Sequence, residues 1–122
     1  MYDVASPAFG IFLILVGCSH FLFRGYFRGL VPSWMPAKTV LVIASGATEI
    51  GLGAMMFFPD LRFAASLAAV LLISGYMVSH LDAARQMSTD GDLLLRPPVV
   101  AARIVVNLGY IAWAGLIAWF SL

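Results

Sequence analysis

Four apolar runs, each about as long as a bilayer-spanning helix, fill nearly the whole chain and decide what it can fold into. Between Ala8 and Phe23 there is no Asp, Glu, Lys or Arg, and from Thr39 to Phe58 the only ionisable side chain is Glu49. Similar runs follow at about 61–81 and 98–120. A spanning helix needs roughly 20 predominantly apolar residues, so four of them with short connections use up the 122 residues and leave no room for a soluble domain. With 62% hydrophobic and 11% charged residues, a soluble domain of this length could not hide its apolar surface. The expected fold is all-α: one membrane domain over 1–122, an integral membrane four-helix antiparallel bundle with helices at about 7–27, 38–58, 61–81 and 98–120 and a hydrophilic loop at about 83–97.

The boundaries of these runs set the expected orientation. Arg24, Arg28 and Lys38 interleave with Tyr26, Phe27 and Trp34, as at a membrane surface where long side chains reach from the acyl boundary to the headgroups. Pro32 and Pro36 mark a structured corner, and Pro36 suits the first turn of the second helix, where its missing amide proton costs no bond. Pro59 closes that helix, and Asp60 is placed to cap the third. Ser88-Thr-Asp90-Gly91 reads as the turn of the hydrophilic loop, followed by Asp92, and Pro97-Pro98 opens the fourth helix. Arg24, Arg28, Lys38, Arg85 and Arg96 flank one side and Arg62 alone the other. The positive-inside rule then puts 28–37 and 83–97 in the cytoplasm and both termini on the non-cytoplasmic side. The first run is read as a retained helix and not as a signal peptide: Asp3 precedes it with no Lys or Arg, although Leu15-Val16-Gly17-Cys18 looks like a lipoprotein cleavage box. A formal charge of +1 and the lack of a basic run argue against nucleic-acid binding. A single cysteine, Cys18, rules out an internal disulfide and is expected to be a small buried apolar residue.

The polar residues within the runs form the candidate site. Gly46 and Gly53 are seven apart with Glu49 between them on the same helix face, and glycines let membrane helices approach closely, so the acid is expected to point into the bundle. Tyr76 and His80, four apart, share a face. Depth along the helices puts His20, His80 and Arg103 in the cytoplasmic half and Glu49 midway, within reach of Arg103 or Asn107. Ionisable groups are costly in hydrocarbon unless paired or wet. Glu49, His20 and His80 are therefore the candidate acid/base residues, and Arg103, Asn107, Tyr76 and Ser45 the candidate ligand-binding residues. A Glu49–Arg103 clasp between two helices, with His20 and His80 as packing residues, is the alternative. Two histidines and an acid could ligate a metal, but no H-x-x-H or H-x-x-x-H spacing exists and no metal site is read. Ser45, Thr48, Tyr76, Ser79 and Asn107 are expected as interhelical hydrogen-bond partners, Trp113 and Trp119 as members of the opposite interface belt, and Phe21, Phe23 and Phe27 as lipid-facing or core residues.

Several of these residues recur as a pattern. His20-Phe21 with Phe27, Val31-Pro32-x-Trp34-x-Pro36, Ser45-Gly46-x-x-Glu49-Ile50-x-Leu52-Gly53, Pro59 with Arg62, His80, and Arg96-Pro97 together resemble the DoxX-like family of small four-helix membrane proteins. The chain departs from that pattern at Val78-Ser79-His80, which keeps only the histidine of an Asn-Ile-His-like segment, and at Arg96-Pro97-Pro98-Val99-Val100, which lacks a glutamine. The resemblance implies the four-helix fold, a bacterial inner-membrane location and company with membrane redox complexes, as subunit or assembly factor. It does not select a reaction. The functional expectation is a binding or accessory subunit with a polar intramembrane pocket for a quinone- or lipid-like headgroup, with membrane lipid and a membrane-protein partner or a second copy as its company. The alternative is an enzyme, a quinone-coupled oxidoreductase or a proton-transfer isomerase, using Glu49 as acid/base.

Overall fold

The computed structural model describes residues 2–87 and 93–122. Among these residues the chain is helical and without strands: α1 (Tyr2–Leu22), α2 (Arg24–Leu30), α3 (Lys38–Met55), α4 (Arg62–Arg85) and α5 (Pro97–Phe120), with short 3-10 turns at Pro59–Leu61 and Leu93–Leu95. Val4–Leu22, Pro59–Arg85 and Pro97–Phe120 are long and apolar enough to cross a membrane. The 18-residue α3, with Lys38 at its start and Glu49 inside it, is not one of these three.

Several boundaries differ from expectation for local reasons. The first helix breaks at Phe23, whose backbone (φ −121°, ψ 48°) leaves the helical region, and α2 begins beyond it. Pro36 does not open α3. The chain closes a turn from the Met35 amide to the Pro32 carbonyl at 3.0 Å, passes through Ala37 in the left-handed region (φ 54°) and starts the helix at Lys38. At the far end α3 stops at Met55, because the Met56 amide is shared between the carbonyls of Leu52 and Gly53 and tightens the last turn. Asp60 makes no capping bond to α4. The hairpin is fastened by Arg62 instead, whose Nε donates to the Met56 carbonyl at 2.9 Å. The third helix runs one turn past its expected end, to Arg85. The expected turn Ser88–Gly91, with Asp90 and Asp92, lies outside the described residues.

The helices associate as two close pairs. In the first, α1 and α3 touch backbone to backbone. A Cβ on Gly10 would stand 2.6 Å from the Gly53 carbonyl oxygen, and one on Gly53 the same distance from that of Gly10. One heptad on, a Cβ on Gly17 would lie 2.6 Å from the Gly46 carbonyl oxygen. Rising numbers on α1 meet falling numbers on α3, so the pair is antiparallel. In the second pair α5 is stitched to α4 by Asn107, whose Nδ2 donates to the Ile73 carbonyl at 3.2 Å.

The two pairs join over one half of their length. There Phe9, Leu13, Leu52, Met56, Ala69 and Ile117 form a buried core, flanked by the rings of Trp113 and Phe9, 4.8 Å apart, and of Tyr110 and Phe12, 4.5 Å apart. Trp113 is thus a packing residue, while Trp119 is exposed. Toward the α2 end the pairs no longer fill the space between them. Cys18 is exposed on the outer face of α1, not buried as expected, because Gly17 takes the inward position beside it.

The glycine contacts make a direct prediction. Gly17→Val should lower unfolding stability by about 1–3 kcal/mol through overpacking against the Gly46 carbonyl, whereas Gly51→Ala, whose Cβ would meet nothing within 4 Å, should leave it unchanged or raise it by up to about 1 kcal/mol. Denaturant titration of the detergent-solubilised protein measures both.

Candidate functional site

The unfilled half encloses a cavity of about 790 Å³. That is within the range of ligand pockets, roughly 300–1,000 Å³. Its walls come from α1, α3, α4 and α5, and Tyr26, Phe27, Leu30, Val31, Pro32 and Met35 close it at the α2 end. Two long-range bonds hold that roof. The Ser79 hydroxyl donates to the Leu30 carbonyl, and Trp34 Nε1 donates to Asp82 Oδ1 at 3.1 Å. Asp82 is in turn held by Arg85 at 2.7 Å and by Gln86 at 2.8 Å.

The residues singled out by sequence are brought together. His20, Ser45, Glu49, Tyr76, His80 and Asn107 line this cavity, and Arg103 lines a smaller neighbour of about 300 Å³ that shares His80 and Asn107 with it. They fall into two clusters, and the partnerships differ from those expected. Glu49 does not pair with Arg103. Its cationic-type neighbour is instead His20.

The first cluster is Glu49 with Tyr76 and His20. Side chains on a helix lean toward its N-terminus, so His20 on α1 and Glu49 on the antiparallel α3 lean toward each other across the Gly17–Gly46 contact. His20 Nδ1 lies 3.3 Å from Glu49 Oε2. The same nitrogen stands 2.8 Å from the Val16 carbonyl. A carbonyl can only accept, so Nδ1 carries the hydrogen and directs it to Val16. Glu49 Oε1 accepts from the Tyr76 hydroxyl at 3.1 Å, beside which the Ser45 hydroxyl stands. Oε2 is left buried and without a hydrogen bond, on a residue that is only 2% exposed. Buried side-chain oxygens are nearly always hydrogen-bonded, and His20 Nδ1, turned to Val16, is the polar atom beside this one.

The second cluster is His80 with Arg103, Ser79 and Asn107. Arg103 Nε donates to His80 Nδ1 at 3.1 Å, and its Nη2 to the Ser79 hydroxyl at 3.0 Å. Because Nδ1 accepts here, His80 keeps its hydrogen on Nε2, the reverse of His20. Asn107 is in hydrogen-bond contact with His80. Ser79 thereby links the α2 roof to this cluster.

Other expectations resolve individually. Tyr76 and Asn107 are interhelical partners, as read, and Ser45, which donates to the Val42 carbonyl of its own helix, also contacts Tyr76 across the helices; Thr48 donates only to the Ala44 carbonyl of its own helix. Phe21 and Phe23 face outward, whereas Phe27 stacks on the His20 ring with centroids 3.9 Å apart and planes at 15°. That stack and the Trp34–Asp82 bond were not foreseen. Neither has a local spacing signal, since each joins segments across the α1–α2 break or across 48 residues. Gly10 and Gly17 were overlooked although a signal existed: they repeat the seven-residue spacing of Gly46 and Gly53.

If Tyr76 anchors the acid, then in a double-mutant cycle Tyr76→Phe and Glu49→Leu should be coupled by about 0.5–3 kcal/mol, read from unfolding of each variant. Coupling near zero would mean that the phenol and the acid act independently.

No curated protein and no solved structure matches the chain. A family model described as a domain of unknown function, DUF8561, matches residues 9–118. That span takes in both clusters, the roof and most of all five helices, and the chain belongs to the DUF8561 family.

Proposed function

We propose that this chain is a four-span integral membrane protein of the bacterial inner membrane. In this reading α3 is a span, both termini are on the non-cytoplasmic side, and 28–37 and 83–97 are cytoplasmic. Its chamber takes the polar head of a quinone- or lipid-like amphiphile, and the protein acts as a binding or accessory subunit beside a membrane-protein partner or a second copy. Support for the membrane reading comes from the outer surface. Leu15, Leu71 and Val105 are 65%, 69% and 67% exposed, on helices whose outward faces are apolar along their length, which water would not tolerate as a continuous surface. At 1.5 Å per residue α3 is about 27 Å long, close to the roughly 30 Å of hydrocarbon, and its glycine face is covered by α1.

The observation that carries the binding role is the Glu49 carboxyl, buried and with Oε2 outside any hydrogen bond, set in the lining of a chamber with mostly apolar walls. Pockets of this kind hold ligands by apolar walls with a few placed polar groups. A hydroxyl on a ligand head complements the carboxyl in either protonation state, and a carbonyl complements the protonated acid. The resemblance to the DoxX-like family, carried by His20-Phe21, Trp34 and Ser45-Gly46-x-x-Glu49, adds the redox-complex setting. A second reading, an enzyme with Glu49 as acid/base, is favoured by the row Tyr76–Glu49–His20, in which a proton-bearing phenol and imidazole flank the carboxyl.

The test is to purify the protein from membranes in a mild detergent, extract bound small molecules and identify them by mass spectrometry. Wild type should retain one enriched neutral amphiphile at about one per chain, and Glu49→Leu should lose at least about tenfold of it, equivalent to 1.4 kcal/mol. Recovery of only the bulk lipid mixture from both proteins would sink the reading.

A further inference from the structure

The chamber is closed at its end and open at its side, and this says what kind of molecule it takes. At the α2 end the roof is tied down by the Leu30–Ser79 and Trp34–Asp82 bonds. Between α3 and α4 the described residues make one bridge in this half, from Tyr76 to Glu49 beside Ser45, and none between it and the roof. Leu41, Ala44 and Thr48 on α3, spaced three and four apart, form one stripe. Leu71, Gly75 and Val78 on α4 form another. All six line the cavity and all six are exposed at the protein surface. They are the two lips of a lateral gap, set within apolar lengths of helix. A Cβ on Gly75 would meet nothing within 4 Å, so the gap is open at its middle. Its floor is polar: Ser45 and Glu49 lie beside Thr48, and Tyr76 follows Gly75.

Resting on the binding role proposed above, we infer that the ligand is a single-tailed amphiphile with a neutral, hydrogen-bonding head, which lies through the gap between α3 and α4 with its head at Glu49 and its tail between the two lips. The tail follows from the lips, whose Leu41, Leu71 and Val78 side chains offer hydrocarbon contact continuous with the lipid phase. The neutral head follows from the floor. An anionic head would face the Glu49 carboxyl, and a cationic head would have only that one carboxyl, already bonded to Tyr76, to replace its water; burying an ion so poorly matched costs several kcal/mol. A hydroxyl, or a carbonyl opposite the protonated acid, meets the Glu49 carboxyl without that cost.

Native mass spectrometry of the detergent-solubilised protein tests this with defined probes: a decyl-tailed benzoquinone, the same ring without the tail, decyl phosphate and decylammonium. Wild type should bind the tailed benzoquinone more tightly than either charged probe. Gly75→Phe and Ala44→Phe, which fill the gap from opposite lips, should each weaken it at least tenfold and leave the tail-less ring within about twofold, since a tenfold change is 1.4 kcal/mol of lost tail contact. Glu49→Leu should weaken both rings. If Glu49→Leu abolishes binding but neither gap variant does, the tail runs elsewhere and the lateral route is wrong while the head site stands. If a charged probe binds best, the neutral-head assignment is overturned. If the wild type forms a dimer that Gly75→Phe dissolves, a second copy occupies the gap and the inference fails. If no probe binds wild type, this inference and the binding role fall together.

Discussion

The contact between the backbones of α1 and α3 is the constraint on which the rest of the structure depends. Two glycines on each helix, one heptad apart and facing each other in opposite order, bring main chain against main chain. Larger residues at these four positions would hold the helices apart, and His20 and Glu49 would no longer meet. Close approach also explains why an acid can sit at 2% exposure in the middle of a helix: it is covered by its own partner helix, and the polar contacts it needs come from α1 on one side and α4 on the other.

The same pairing explains why the molecule is solid at one end and hollow at the other. α1 with α3 and α4 with α5 each form a close pair, but the pairs meet over a core built of large residues from α1 and small ones from α4, such as Phe9 against Ala65 and Ala69. Beyond Ile73 the inward residues on α4 become Tyr76, Ser79 and His80, which reach for hydrogen-bond partners and do not interlock as aliphatic side chains do. The two histidines that border the hollow carry their hydrogens on opposite ring nitrogens, one set by the Val16 carbonyl and the other by Arg103. The carboxyl thus borders the chamber and the guanidinium its smaller neighbour, with His80 and Asn107 lining both.

Much of this was readable from the sequence, and the limits have physical causes. The face shared by Gly46, Glu49 and Gly53 follows from helical periodicity, and so does the common face of Tyr76 and His80; both hold in the structure. Depth along the helices puts His20, His80 and Arg103 in one half and Glu49 midway, within reach of Arg103 or Asn107; in the structure His20, His80, Glu49 and Asn107 line one cavity and Arg103 its neighbour. Depth cannot say which helices are neighbours or how each is rotated, so the acid was matched to Arg103, the strongest cation at a suitable level, when the helix beside it supplied a histidine and the one opposite supplied a tyrosine. Pro36 fitted a helix start on local rules, but the tight corner required a left-handed residue after it, and Ala37 took that place. Cys18 was assigned inward from its residue type alone, although Gly17 next to it was the better claimant for the inner face.

The roof of the chamber joins residues that are 48 and 49 positions apart in the chain. The carboxyl, its imidazole neighbour and the glycine seam all belong to the first 53 residues, so the acid and the helix it packs against lie within α1 to α3. The chamber does not. Ser79 and Asp82, which tie the corner between α2 and α3 across the opening, both lie on α4. Enclosure is thus the work of the second half of the chain acting on a half-site made by the first.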